Sequence, residues 1–140
     1  MKLVLDTNVV VSGIFFGGVP GRVLAAWSVG AVDLVLSPDI LEEYRRVGAD
    51  LAIRHPERAT ALEPVLRLLA MHATIVDAPP LTEQVSEDPA DDMFLAAAWA
   101  SRTALIVSGD AHLLQVSGWR GITILRLRQF VDQYLSARDS

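Results

Sequence analysis

The chain contains no cysteine among its 140 residues. This absence excludes disulfides, thiolate zinc sites and cysteine nucleophiles together. The three histidines are scattered, and their spacing matches no metal-ligand motif: His55, His72 and His112. Chemistry in this chain must therefore come from other side chains.

Long hydrophobic runs are also missing. No apolar stretch approaches the roughly 18 residues of a membrane-spanning helix, and Asp6 interrupts the segment in which a signal peptide would be unbroken. Hydrophobic residues make up 51% of the chain and charged residues 21%, which is typical of compact soluble proteins and excludes a disordered chain. We expect a cytoplasmic protein without a membrane association, folded as a single domain over residues 1–140.

Positive charge is scarce, and lysine is almost absent, since Lys2 is the only lysine among 12 basic residues. The net charge of −5 argues against a protein that coats nucleic acid, because such binding requires Lys and Arg to neutralise phosphates. It does not exclude nucleic acid as a substrate, because arginine binds phosphate in a forked, bidentate way. Several arginines near the candidate acids are either phosphate contacts or ordinary solvated surface: Arg45, Arg46, Arg54, Arg58, Arg120, Arg126 and Arg128.

Apolar runs with strand character alternate with helical patterns along the chain. Helix starts are predicted at Ser37-Pro38 and Asp88-Pro89, where an N-cap residue precedes proline. A helix is also predicted over residues 57–71, although Pro64 either kinks it or delays its start. The strands are predicted at residues 2–5, 34–36, 74–76, 105–107 and 122–125. This alternation predicts an α/β fold, a three-layer α/β/α sandwich with a five-stranded, mainly parallel sheet.

Four acidic residues stand where an apolar element begins, continues or ends: Asp6, Glu43, Asp92 and Asp110. A parallel sheet gathers the carboxyl ends of its strands at one edge, so acids far apart in sequence converge there. Carboxylates gathered in this way repel one another and require a cation, and Mg²⁺ and Mn²⁺ prefer oxygen ligands. We predict that these four residues bind metal and are catalytic.

Asp6 and Asp110 occupy similar positions, each just after a predicted buried strand. The alternative for Asp6 is a plain helix cap, and the alternative for Asp110 is a turn aspartate. If the first and fourth strands are neighbours, the two carboxylates lie about 5 Å apart, across one interstrand spacing. That separation suits a shared metal ion.

Helix geometry separates Glu42 from Glu43. Each residue of a helix turns about 100° around the axis, and the predicted buried stripe contains Ile40 and Tyr44. Glu42 then points away from the core into solvent. Glu43 lies at the margin of the stripe, from which its carboxylate can reach a cleft.

Three aspartates crowd one predicted helix start: Asp88, Asp91 and Asp92. Carboxylates are favoured there by unpaired backbone amides and the helix dipole, whatever the function. Asp88 before Pro89 is the natural cap and Asp91 a plausible residue of the first turn. We therefore favour Asp92 as the functional acid, with Asp88 and Asp91 as secondary candidates.

In order and spacing, four segments that contain these acids resemble the motifs of the PIN domain family, metal-dependent ribonucleases that include VapC-type toxins of toxin–antitoxin pairs. They are residues 3–9 (LVLDTNV), 37–44 (SPDILEEY), 88–98 (DPADDMFLAAA) and 107–110 (VSGD). The resemblance covers essentially the whole chain. It implies a fold with the same acids at its centre.

The resemblance further implies an endoribonuclease that uses Mg²⁺ or Mn²⁺ to hydrolyse RNA, with Asn8 and Ser108 positioning metal or substrate. It implies a toxin that pairs with a small antitoxin protein and forms a homodimer. One departure is His112, which stands where the similar bacterial subgroup usually carries a second acid. His112 either donates to phosphate or lies on the surface, and we favour the surface.

Three other functions fit parts of the pattern. A haloacid-dehalogenase-type phosphatase needs a second aspartate two residues after Asp6, where this chain has Asn8. A phosphoacceptor receiver domain needs a lysine at the end of its last strand, but the only lysine of this chain is Lys2. Both are disfavoured. A catalytically inactive PIN-like scaffold that binds RNA or a protein partner remains the alternative, although the presence of all four acids argues against it.

Overall fold

The fold is a five-stranded, fully parallel sheet flanked by helices in a computed structural model that describes residues 1–135. The spatial order of the strands is β3-β2-β1-β4-β5. They are β1 (Lys2–Leu5), β2 (Asp33–Leu36), β3 (Thr74–Ile75), β4 (Leu105–Val107) and β5 (Thr123–Leu125). The predicted α/β fold with a parallel sheet is confirmed. Residues 136–140, the end of the predicted single domain, lie outside the described part of the chain.

The helices lie between the strands and after the last one. They are α1 (Thr7–Phe16), α2 (Gly18–Ser28), α3 (Pro38–Arg54), α4 (Leu62–His72), α5 (Asp92–Ser101), α6 (Ala111–Gln115) and α7 (Leu127–Phe130). Short 3₁₀ turns span Pro56–Ala61, Pro89–Asp91 and Trp119–Gly121, and a π-helical turn spans Val131–Leu135.

The start of α3 follows directly from the sequence, and the start of α4 differs from the prediction. Ser37 caps α3, because its hydroxyl accepts a hydrogen bond of 3.3 Å from the N–H of Ile40, and Pro38 occupies the first turn. The helix predicted over residues 57–71 begins later, at Leu62, after a 3₁₀ turn. This places Pro64 in the first turn of α4, where its missing N–H has no intrahelical partner to lose.

The order in which strands are added to the sheet reverses at β1, although all strands run in parallel. From β1 the chain adds β2 and then β3 on one side, and it returns to add β4 and β5 on the other. Such a switch point opens a crevice at the carboxyl ends of the two central strands, where α/β proteins bind ligands. Val4 and Leu5 of β1 pair with Ile106 and Val107 of β4, so the residues that follow these strands are neighbours.

The core lies around β1 and the small residues of α5. Leu3 and Val4 are fully buried, as are Ala97 and Ala98 of α5, which packs against β1, β2 and β4. The alanines allow the helix to approach the sheet closely. The carboxyl ends of β1 and β4 and the start of α5 are therefore held in place by tight packing.

Within residues 1–135, no single helix is long and apolar enough to span a membrane. Helices α1 and α2 pass the same test of length and composition only when taken together, and they meet at a bend of 96°.

Candidate metal centre

Asp6 lies at the carboxyl end of β1, and its side chain is almost fully enclosed, with 7% of the residue exposed. One carboxylate oxygen accepts a hydrogen bond of 2.7 Å from the N–H of Thr7, and this caps α1. The other accepts a hydrogen bond of 2.6 Å from the hydroxyl of Ser108. Asp6 is therefore both a helix cap and a buried carboxylate at the switch point, so its two interpretations are not exclusive.

Ser108 connects Asp6 to Asp110 across the sheet. Its fully buried hydroxyl donates to Asp6 and accepts a hydrogen bond of 3.0 Å from the N–H of Asp110. Pairing between β1 and β4 confirms the neighbouring strands on which the predicted proximity of the two acids depended. Asp110 also caps α6, because it accepts hydrogen bonds from the N–H groups of His112 and Leu113.

A cluster of carboxylates forms where the start of α5 meets Asp110. Oxygen atoms of Asp88, Asp91 and Asp110 all lie within 4.8 Å of one another. Asp91 is 6% exposed, and Asp88 and Asp110 are half-buried. This spacing matches a shared cation, because oxygens at 2.0–2.6 Å from one ion lie within about 5 Å of each other.

The structure gives Asp92 a second role at this helix start, and its assignment as the functional acid stays a prediction. The carboxylate of Asp92 accepts hydrogen bonds from the N–H groups of Val85 (2.9 Å) and Ser86 (2.8 Å), so it fastens the preceding loop. Asp88 is the cap, as predicted, and accepts from the N–H of Ala90 at 3.1 Å. Asp91 lies in a 3₁₀ turn that precedes α5, and this turn rotates Asp91 towards Asp110 and away from capping.

Glu43 is half-buried on α3, while Glu42 is exposed, as helix phase predicted. The carboxylate of Glu43 is hydrogen bonded to the guanidinium of Arg46, one turn along the same helix. It contributes to the electrostatics of the site, because its charge helps to raise the pKa of Asp6. Its role as a metal ligand stays a prediction.

The remaining predicted residues lie around this centre. Asn8 is exposed on α1, next to Asp6 in sequence. His112 is half-exposed, and its Nδ1 lies 3.0 Å from a carboxylate oxygen of Glu87. This places His112 at the surface beside Glu87, in agreement with the surface interpretation.

Three supporting residues were not identified from the sequence. The buried Tyr44 donates a hydrogen bond of 2.6 Å to the carbonyl of Leu5, which fixes α3 against the end of β1. The buried Ser86 donates to Asp91 at 3.4 Å. Thr7 Oγ1 is a buried hydroxyl without a hydrogen-bond partner in the described part of the chain. Of these three residues, only Tyr44 had a sequence signal. Its helical spacing predicted that its side chain is buried, but not that it bonds to Leu5.

Burial and neighbouring carboxylates raise the pKa values of Asp6 and Asp91. Burial raises the pKa of Asp6, against the lowering effect of the hydrogen bonds from Ser108 and Thr7, and the charge of Asp110 raises it further. Burial also raises the pKa of Asp91 to about 6, assisted by the charges of Asp110, Asp88 and Asp6. An all-oxygen set of mutually repelling carboxylates fits a hard divalent cation, which relieves the repulsion.

The contribution of Asp91 to the stability of the metal-free protein is expected to fall as pH rises from about 4 to about 6. Between these values folded Asp91, with a pKa of about 6, keeps a proton that the unfolded chain releases near 3.8. Asp91→Asn removes this effect. In EDTA, urea denaturation should show the variant equal to the wild type near pH 4. At pH 7.5 it should be more stable by about 1 to 2 kcal/mol, the value of such a shift after solvent screening.

The matched control for this titration is Asp77→Asn, which changes an exposed aspartate in the loop after β3. If both variants show the same dependence of stability on pH, Asp91 is not the carboxylate that burial and its neighbours perturb.

Comparison with known proteins identifies one family. The sequence model of that family, described as PIN domain, matches residues 2–112. The matched segment contains Asp6, Glu43, the three aspartates at the start of α5 and Asp110. No curated protein matches the chain at a significant level.

Proposed function

The chain belongs to the PIN domain family, and we propose that it is a metal-dependent endoribonuclease that hydrolyses RNA phosphodiester bonds. Proteins of this family are generally metal-dependent nucleases. The observation that carries the proposal is the convergence of Asp91 and Asp110 beside the buried Asp6, at the switch point of a parallel sheet. Nothing but oxygen donors is needed for this chemistry, in agreement with a chain that lacks cysteine.

The protein contributes a rigid, negatively charged frame. We assign metal binding to the clustered Asp88, Asp91 and Asp110 together with Asp6, and we keep Glu43 as a further ligand, since its charge acts on Asp6. When bound, Mg²⁺ or Mn²⁺ supplies activation of water and neutralisation of the phosphate charge. Ser108 orients Asp6 and Asp110 relative to each other, because its hydroxyl bonds to both residues.

The finer assignments belong to the same proposal. The substrate is RNA, and the protein is the toxin of a toxin–antitoxin pair whose small antitoxin covers the centre. It acts in the cytoplasm as a homodimer. The geometry of the acids suits hydrolysis of any phosphodiester and does not by itself select RNA. The support for these finer assignments is the resemblance of the four motifs to VapC-type proteins.

A cleavage assay on defined single-stranded RNAs and DNAs tests the proposal. Cleavage of RNA should require Mg²⁺ or Mn²⁺, stop in EDTA and return when the ion is added in excess. Calorimetric titration of the metal-free protein should show the ion binding with the same preference. RNA binding without metal binding or cleavage would instead support the inactive scaffold.

A further inference from the structure

A cavity opens at the edge of the sheet opposite the acids, beside the amino ends of β4 and β5. Its volume is about 610 Å³, within the range of small-ligand sites. Residues that precede the strands form one wall, and the end of α5 forms the other. The polar and aromatic side chains that line it are Trp99, Arg102, Thr103 and Arg120.

Two tryptophans and an arginine form a stacked cluster at this cavity. The guanidinium carbon of Arg120 lies 4.7 Å from the ring centre of Trp99 and 4.6 Å from that of Trp119. The two rings meet edge to face, with centres 6.2 Å apart. Trp99 remains 50% exposed, so the cluster presents aromatic surface to solvent, with a positive charge held against it.

The charge of this cavity differs from that of the molecule. The chain carries a net charge of −5, and its metal centre is built from carboxylates. Among the described residues, the cavity is lined by two arginines, Arg102 and Arg120, and by no carboxylate. It therefore attracts anions on a protein that otherwise repels them.

Both arginines occupy backbone positions that suit glycine better. Arg102 ends α5 with a φ of 57°, and Arg120 has a φ of 49°. They are the only non-glycine residues with positive φ in residues 1–135. Glycine adopts this conformation without the steric cost that a side chain brings, and it is the common residue at such a helix end. The coincidence of the two strained arginines at one cavity is better explained by a ligand than by folding.

We propose that this cavity, together with Trp99 and the two arginines, is a binding site for single-stranded RNA. The inference rests on the proposed function and adds a site that binds the RNA at a distance from the bond that is cleaved. A base stacks on the exposed ring of Trp99, and Arg102 and Arg120 bind the flanking phosphates. This combination of aromatic surface and guanidinium groups is what single-stranded nucleic acid recognition requires.

Adjacent cavities extend from this site along α5 towards Asp92. Two further cavities lie between α5 and the loop of residues 78–85; the one next to Asp92 shares Pro80 and Leu81 with the second, which shares Trp99 and Arg120 with the RNA site.

Binding of a fluorescently labelled, 12-nucleotide RNA to the full chain in EDTA tests the inference, because no metal-dependent cleavage occurs. Trp99→Ala should weaken binding about 30-fold, the middle of the range for loss of one stacked base. Arg102→Gly should weaken binding and lower the slope of log affinity against log salt by about 0.7, the value for one phosphate contact on a single strand. The melting temperature of Arg102→Gly should not fall, since glycine adopts the backbone conformation of Arg102 without strain.

The matched control is Arg67→Ala, which removes an equal charge from the exposed face of α4. The inference is overturned if the wild type does not bind RNA, or if the Trp99 and Arg102 variants bind it as well as Arg67→Ala does. It is also overturned if polyglutamate of equal charge displaces RNA as effectively as unlabelled RNA, which would indicate an acidic protein partner.

The same variants separate this inference from the proposed function. A wild type that binds RNA through Trp99 and Arg102 but never cleaves it would support the RNA site and reject the nuclease. Metal-dependent cleavage with unchanged binding by both variants would support the nuclease and reject the RNA site.

Discussion

Asp6→Asn is expected to abolish metal-dependent cleavage of RNA while the protein stays folded. The substitution keeps the shape of the side chain and removes the charge of the acid at the end of β1, which lies beside Ser108 and Asp110. Loss of a direct ligand should reduce activity by more than about 100-fold, the upper end of the loss seen for groups that only support a ligand. The measurement is the initial rate of RNA cleavage at saturating Mn²⁺.

The fold of this variant can be checked independently. Burial raises the pKa of Asp6 and so disfavours its charge, and the amide of asparagine can still accept from the N–H of Thr7 while its NH2 donates to the hydroxyl of Ser108. The melting temperature of the metal-free protein should therefore not fall. Asp132→Asn, in the exposed part of the π-helical turn, is the charge-matched control and should cleave at the wild-type rate. Undiminished cleavage by pure Asp6→Asn would exclude the switch point as the catalytic centre.

The neighbouring substitutions Asp91→Asn and Asp92→Asn are expected to have opposite effects. Asp91 is buried within 4.8 Å of Asp88 and Asp110, so its substitution should reduce cleavage and metal affinity at least about 10-fold. In EDTA at neutral pH the same variant should be more stable than the wild type, since it removes repulsion.

Asp92→Asn should instead act on stability. An amide has one acceptor oxygen, so it cannot accept from both Val85 and Ser86, and one backbone N–H loses its partner. The free energy of unfolding should fall by about 1 to 3 kcal/mol. Cleavage rates and urea denaturation of both variants distinguish the two roles. A larger loss of cleavage in Asp92→Asn at equal metal concentration would restore the order of preference indicated by the sequence.

The fold could be predicted because its signals are local. Strands β1 and β4 are short apolar runs, each followed within a few residues by an acid. The cap at Ser37, followed by Pro38, marks the start of α3. Each signal depends on residues within a few positions of one another, and alternation of strands and helices then leaves few topologies. The helix predicted from residue 57 began at Leu62, because the preference of Pro64 for a first turn is compatible with more than one start.

The site was harder to predict where several residues compete for one role. Asp6 and Asp110 stand alone after their strands, so their position alone indicated the edge of the sheet. The three candidates Asp88, Asp91 and Asp92 lie close together in sequence. The choice between them depends on one 3₁₀ turn, in which Asp91 faces Asp110. The backbone N–H of Val85, which Asp92 holds, lies seven residues earlier in a loop that carries no sequence signal for that contact.

Residue types and their spacing were enough to establish an α/β protein with a carboxylate centre, because strand ends of a parallel sheet must meet at one edge. They also separated Glu42 from Glu43, since helix phase is a property of the helix alone. Which aspartate faces Asp110, which one fastens a loop, and that Trp99, Arg102 and Arg120 line one cavity emerged only from the folded molecule. Those contacts join segments whose relative orientation depends on packing and not on local sequence.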